Sequence, residues 1–252
     1  KATGFGLIAL IGIDSSSQSE VVLLQQVDFV GFTYLLVSMA CLAATVFFFL
    51  ERGSVAPGWK ISITVAGLVT GIAFMHSMYM RSVWVTTGDT PIIYRYIDWL
   101  ITMPLLALQF YLILSAVRKV PSIIFWKLLI ATLVMVCGGY AGEAGYILPF
   151  LGFLIWMTAW IYILYEIFAG ELGKLVARST NRALITTFET MRMIVTIGWA
   201  IYPLGYVFGY LTGGVDSNTL NVIYNFADFI NKIAFGLVIW IAATANTSGL
   251  RR

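Results

Sequence analysis

The chain has 252 residues, of which 60% are hydrophobic and only 11% charged, against roughly 25% charged in a soluble domain. That composition excludes water as its main solvent, and at about 20 apolar residues per spanning helix the length holds about seven membrane helices in one domain and little else. The net charge of +3 points to no nucleic-acid partner, because the basic residues lie between apolar runs and not along one stripe.

Lys1 and the uncharged run Ala2 to Ile13 are too short to span and look like part of a signal peptide, so residues 1–25 are read as an N-terminal segment ahead of a membrane domain over 26–252. Apolar stretches bounded by charge or by Gly and Pro predict helices at about 27–50, 60–81, 92–117, 123–142, 147–169, 183–212 and 219–246. The expected fold is an all-α bundle of seven transmembrane helices embedded in a lipid bilayer. Gly138, Gly139, Gly142 and Gly145 crowd the end of the fourth helix. Arg52, Lys60, Arg118, Lys119, Lys127, Lys174, Arg178, Arg182, Arg251 and Arg252 follow the odd-numbered helices, whereas the other face holds only Lys1 and Arg81. The positive-inside rule then puts the N-terminus outside and the C-terminus in the cytoplasm. Cys41 and Cys137 lie within apolar runs, where free cysteine behaves as a small buried hydrophobe. With one histidine, His76, and no Cys-x-x-Cys pair, neither a disulfide nor a metal site is expected.

Four charges break the apolar pattern: Arg95, Asp98, Asp228 and Lys232. An ionisable group near the centre of a spanning helix costs at least about 2.5–3.5 kcal/mol, so each needs a reason. Lys232 stands about thirteen residues from either end of its helix, about 20 Å from each surface at roughly 1.5 Å per residue, too deep to snorkel fully. Asp228 and Lys232 are spaced i, i+4 and share a helix face; Arg95, Asp98 and Thr102 form a second polar stripe on the third helix. A plain buried ion cluster joining two helices is one reading, though burying four charges for packing alone is a poor route to stability. The functional reading starts from amine chemistry: a desolvated lysine can condense with an aldehyde to form a Schiff base. The protonated imine then needs a counterion, with Asp98 the candidate, Asp228 the second carboxylate and Arg95 compensating the surplus charge. Trp99, Trp199, Tyr202 and Tyr206, with Pro203 among them, would wall a slot for a long flat ligand, unless they are ordinary packing aromatics.

The segments Arg95-Tyr-Ile-Asp98-Trp99, Gly198-Trp199-Ala-Ile-Tyr202-Pro203 and Asp228-Phe-Ile-Asn-Lys232 resemble those of the microbial rhodopsins, and most of all the proteorhodopsins. The resemblance covers all seven helices. It implies all-trans retinal bound covalently to Lys232 as a protonated Schiff base, with Asp98 as primary counterion and proton acceptor, Asp228 and Arg95 completing the cluster, and His76 coupled to Asp98. It further implies a retinal pocket that includes Leu106 and Met135, Leu106 being the position where leucine goes with green absorption and glutamine with blue. A homo-oligomer of five or six copies in the inner membrane of a bacterium also follows from it, and no enzymatic activity is expected.

Two departures from the family pattern stand out. Pumps carry an acidic acceptor, a threonine and a donor carboxylic acid on the third helix; here the three are Asp98, Thr102 and Gln109. At about 100° per residue their spacings fall within about 40° of whole turns, so they share a face, with Gln109 about 16 Å from Asp98 on the cytoplasmic side. An amide cannot donate a proton as a carboxylic acid does. Glu189 and Arg192 are the second departure, read as a surface ion pair of little weight or as a substitute proton relay. An outward light-driven proton pump with a slow photocycle is the first expectation; a sensory photoreceptor with a separate transducer is the second. Chloride pumping is disfavoured by Asp98 and sodium pumping by Thr102, and a retinal-free transporter or channel is the remaining alternative.

Overall fold

A computed structural model of the chain describes residues 27–250; the expected N-terminal segment of residues 1–25 lies outside the described residues, as do Arg251 and Arg252. Seven helical spans are long and apolar enough to cross a membrane. They are α1 (Phe29–Glu51), α2 (Pro57–Thr87), α3 (Ile92–Ser115), α4 (Ser122–Glu143), α5 (Pro149–Ala177), α6 (Arg182–Leu211) and α7 (Ser217–Leu250). Each packs against its chain neighbours, and α7 closes the ring by lying against α1, α2 and α6. The odd-numbered spans begin at one end of the bundle, here the N-terminal end, and finish at the other, the basic end.

Local chemistry sets the boundaries. Asp28 caps α1 by accepting from Gly31 N at 2.8 Å, and Asn181 caps α6 by accepting from Leu184 N at 3.1 Å, each supplying an acceptor to an otherwise unpaired helical amide. Asp216 does the same ahead of α7, where the hydroxyl and amide of Thr219 hold its carboxyl below the usual range. The second helix was expected to end at Arg81, yet it runs on to Thr87 and stops at Gly88, whose φ of 72° is left-handed. Arg81 thus lies within α2 and is partly buried.

Three features were not expected. The fifth helix pauses after Phe168, and a short helix, Glu171–Ala177, extends it. The buried Glu166 accepts from Leu172 N at 3.3 Å across that break. The sixth is not uniform: it widens into π-turns at Ile194–Gly198 and Val207–Leu211. Pro203 has no amide proton for the Trp199 carbonyl, which takes Tyr202 N at 3.2 Å instead. Finally, Cys41 is buried as expected but Cys137 faces outward from α4, into the lipid that the apolar exterior implies.

The glycines of α4 are packing devices rather than helix breakers. A Cβ on Gly152 of α5 would sit 2.7 Å from Gly142 Cα and 2.9 Å from Gly138 O, all backbone, so only hydrogen lets α4 and α5 approach this closely. Small residues at helix contacts serve that purpose in membranes.

Candidate functional site

Lys232 lies in the middle of α7 with its side chain 2% exposed. Its Nζ hydrogen-bonds Asp98 Oδ2 across from α3, and Asp228 Oδ2 one turn back on α7 at 3.3 Å. The two stripes read from spacing therefore do face each other. Asp228 is further satisfied by the Tyr202 hydroxyl, which donates at 2.7 Å, and by Trp99 Nε1 at 3.1 Å. Two of the expected slot aromatics thus place their polar atoms on the second carboxylate while their rings stand edge to face, centroids 4.9 Å apart.

The π-turn in α6 belongs to the same construction. It brings the Gly198 carbonyl to Asn231 Nδ2 at 3.0 Å, and Asn231 also donates to the Tyr202 hydroxyl at 3.2 Å. A side chain at 198 would strike Asn231 Oδ1. π-turns concentrate at functional sites because they re-aim one side chain without breaking the helix. Trp199, which follows this one, is fully buried with its Nε1 unpartnered.

His76 Nδ1 stands 3.9 Å from Asp98 Oδ1 and 3.1 Å from the Ile72 carbonyl. Leu106, Met135 and Trp199 are buried in one continuous core with Trp99 and Tyr202. Tyr206 lies farther toward the N-terminal end, where its hydroxyl donates to Pro149 O at 2.9 Å. It joins Pro203, Tyr202 and Trp99 along a narrow crevice that reaches Glu143.

One expectation needs correction, the Glu189–Arg192 pair, and two other residues take partners that spacing left open. Thr102 donates to the main-chain carbonyl of Asp98 at 2.9 Å, so it stands beside the cluster without bonding the carboxylate. Arg95 forms no ion pair among the described residues. Its Nη2 donates to Tyr34 Oη at 2.8 Å, Asn221 Oδ1 at 3.0 Å and Asn225 Oδ1 at 3.2 Å, and the guanidinium lies over the Tyr224 ring at 5.3 Å. It balances charge from a distance. Arg192 does not pair with Glu189: its Nε donates to Ile167 O at 2.7 Å, and its guanidinium lies between the rings of Phe168 and Phe188. A carbonyl beside the pause in α5 and two aromatic faces outbid an exposed carboxylate.

Asn221 and Asn225 went unread, although a signal was present. Positions 221, 225, 228 and 232 advance by four, three and four residues along one face of α7, so the polar stripe could have been followed upstream. Tyr34 had none, since a lone tyrosine in an apolar helix looks like a packing aromatic. Toward the basic end Gln109 is buried, its Nε2 donating to Ser62 O at 2.8 Å, while its Oε1 and Ser62 Oγ lack partners. Among the described residues no cluster of potential metal ligands occurs.

A ring of seven apolar helices enclosing a buried lysine between two carboxylates defines a class of protein, and the comparisons agree: the chain belongs to the bacteriorhodopsin-like protein family, whose profile matches residues 28–246. Within it the chain is 52% identical over 222 residues to a green-light absorbing proteorhodopsin of Gamma-proteobacterium EBAC31A08, covering 88% of this chain and 89% of that one. It is also 52% identical over 223 residues to a blue-light absorbing proteorhodopsin of Gamma-proteobacterium Hot 75m4, covering 88% of each. Among solved structures, the blue light-absorbing proteorhodopsin from Med12 superposes with a TM-score of 0.76 at 50% identity, covering 87% of this chain and all of that one. Exiguobacterium sibiricum rhodopsin gives 0.78 at 35% identity, over 87% of this chain and 97% of that one.

Proposed function

We propose that this chain is an outward light-driven proton pump of the proteorhodopsin type, with Lys232 holding all-trans retinal as a protonated Schiff base. One observation carries the reading: a buried primary amine at mid-membrane, hydrogen-bonded to carboxylates from two different helices. The donor set suits the cofactor, because an amine that must stay cationic in a dry site needs a counterion, and the buried Trp99, Trp199, Leu106 and Met135 supply an apolar wall. Leucine at 106 fits green absorption.

When bound, the cofactor supplies light absorption and a light-driven fall in the proton affinity of the Lys232 nitrogen. Asp98 takes the proton, since its Oδ2 already accepts a hydrogen bond from Nζ. Asp228, held by Tyr202 and Trp99, keeps its charge and orients the pair. The Asp98 and Asp228 carboxylates balance the cations Lys232 and Arg95, so moving one proton between neighbours creates no new net charge in the core. On the other side, the Gln109 amide has no proton to give. Lys232 Nζ is then refilled from cytoplasmic water, and the cycle is slow.

The basic residues at one end of the bundle support an N-terminus outside and a C-terminus in the cytoplasm, in the inner membrane of a bacterium. A ring of five or six copies is the expected assembly. Gln109 also favours a second reading, a photoreceptor signalling through a separate transducer, because slow recovery suits signalling. Illumination of unbuffered cells expressing the full chain with retinal, read by a pH electrode, separates the two. Acidification abolished by a protonophore supports pumping; coloured, well-expressed cells that leave the pH unchanged refute it and support the receptor.

A further inference from the structure

Two routes lead from the Lys232 cluster toward the outer end of the bundle, and they differ in chemistry. The first passes Arg95. There a permanent cation is held by Tyr34, Asn221 and Asn225, which are in turn fixed by Thr33 and Thr90 at 3.0 Å each. Among the described residues that route offers an incoming proton no carboxylate, only a fixed positive charge. The second starts at Tyr202, whose hydroxyl bonds Asp228, and follows a crevice between α3, α4, α6 and α7 lined by Tyr96, Tyr206, Tyr224 and Glu143. The hydroxyls of Tyr96 and Tyr210 face the half-buried Glu143 carboxyl, and Arg95 is the cation whose charge acts on it. Tyr96 Oη is buried without a well-formed hydrogen bond, a polar atom aimed into the crevice.

Among the described residues, the other outer carboxylates are committed elsewhere or turned to solvent. Asp28 caps α1 and accepts from Trp84 at 3.0 Å, Asp216 caps α7, and Asp89 lies exposed in the link between α2 and α3. Glu143 alone among them borders the crevice.

We propose that Glu143 is the exit carboxylate of the pump: the proton that Asp98 receives leaves along the tyrosine-lined crevice, binds a Glu143 carboxylate oxygen, and passes to the outer medium, the next cycle finding Glu143 ready again. One proton enters the carboxyl and one leaves it, with no redox change. The inference rests on the pumping reading above.

The test uses full-length protein reconstituted with retinal, a laser flash, and a pH-sensitive dye in the medium. In Glu143→Gln, deprotonation of the Lys232 nitrogen should keep its native rate while the dye signal is delayed at least about tenfold, the low end of what a positioned proton-transfer group contributes. Glu143→Asp should restore much of the native timing, and Asp28→Asn should leave it unchanged. Light-minus-dark infrared spectra should contain a carboxyl band that disappears in Glu143→Gln and persists in Asp28→Asn. If Glu143→Gln releases protons with native timing, or its infrared difference keeps every carboxyl band, the assignment is overturned while pumping stands. If the native protein itself deprotonates the Lys232 nitrogen but never releases a proton, pumping and the exit role fall together.

Discussion

The two halves of the bundle on either side of Lys232 are built from different chemistry. On the outer side stand two hydrogen-bonded groups drawn from α1, α3, α6 and α7: Asp98, Lys232, Asp228, Tyr202 and Asn231 form one, and Arg95, Tyr34, Asn221 and Asn225 the other, with bonds of 2.7–3.3 Å apart from the shorter Lys232–Asp98 contact. On the basic side, Phe110 meets Phe188 and Phe235 edge to face at 5.0 and 5.8 Å, and the Gln109 bond to Ser62 is the chief polar link between α2 and α3. The first half is wired with exchangeable hydrogens and charge; the second is a dry seal. Under the proposed pumping role such a difference gives transport its direction: the carboxylates bonded to Lys232 are Asp98 and Asp228, and a replacement proton must cross the seal.

The largest effect comes from the residue at the boundary. Lys232→Ala should abolish visible colour completely while the seven-helix protein still folds, because only a primary amine can carry the imine. Absorption spectra of the purified, retinal-treated variant check this; a coloured Lys232→Ala protein would place the attachment elsewhere and dissolve the boundary between the halves.

Asp98→Asn attacks the wired half next. It should stop proton release and move the dark spectrum to the red, since removing the counterion's charge withdraws its stabilisation of the resting cation. The sign for acid follows: as pH falls through the Asp98 pKa the carboxylate gains a proton, and native protein should approach the spectrum of the variant. Asp98→Asn itself should show no such titration. Spectra recorded over a pH series decide, and a variant with the native dark spectrum and native acid titration refutes the counterion role.

How much of this contrast was legible beforehand depends on whether a residue's chemistry fits its surroundings. Lys232, Asp98, Asp228 and Arg95 were conspicuous because charge in an apolar span is costly, and seven spans followed from hydropathy alone. The contacts of Arg95 were not legible: spacing fixes the face a side chain occupies, but whether a guanidinium meets a carboxylate or two amides depends on helix rotation and on Tyr34 of α1. The π-turns of α6 escaped for a related reason, since Pro203 announces a disturbed ladder without saying which way the chain relieves it. The Arg192 pairing failed because i, i+3 proximity was weighed without the carbonyl of Ile167 on a neighbouring helix.

Gln109→Glu tests the dry half. If, as proposed, the amide leaves the Lys232 nitrogen to recover its proton from cytoplasmic water, recovery should slow as pH rises in proportion to the falling proton concentration. A glutamic acid there, kept protonated by its apolar surroundings, should speed recovery on the order of a hundredfold, the lower part of the range for a positioned general acid. It should also flatten the pH dependence while the acid stays protonated. Flash photolysis across about pH 6–9, within the range where water-borne uptake and a buffered donor differ, distinguishes them. Native recovery that is fast and independent of pH, with no gain in the variant, would mean that another group already supplies the proton.

The smallest expected effect concerns Glu189, the carboxylate that sequence spacing offered as a substitute relay. Arg192 has turned from it to the Ile167 carbonyl and the rings of Phe168 and Phe188, and Glu189 itself is exposed, with Phe188 and Phe110 packed in the seal between it and Lys232. An exposed carboxylate lacks the desolvation that keeps a donor protonated at rest, and any hydrogen-bonded path inward would have to cross apolar rings. Glu189→Gln should therefore leave recovery rates within about twofold of native and cost less than about 0.5 kcal/mol in stability, as surface substitutions usually do. Flash photolysis and thermal melting on the same samples check both. A marked slowing, with stability unchanged, would show that the basic half contains a proton path after all, and the contrast between a wired half and a dry one would have to be redrawn around α6.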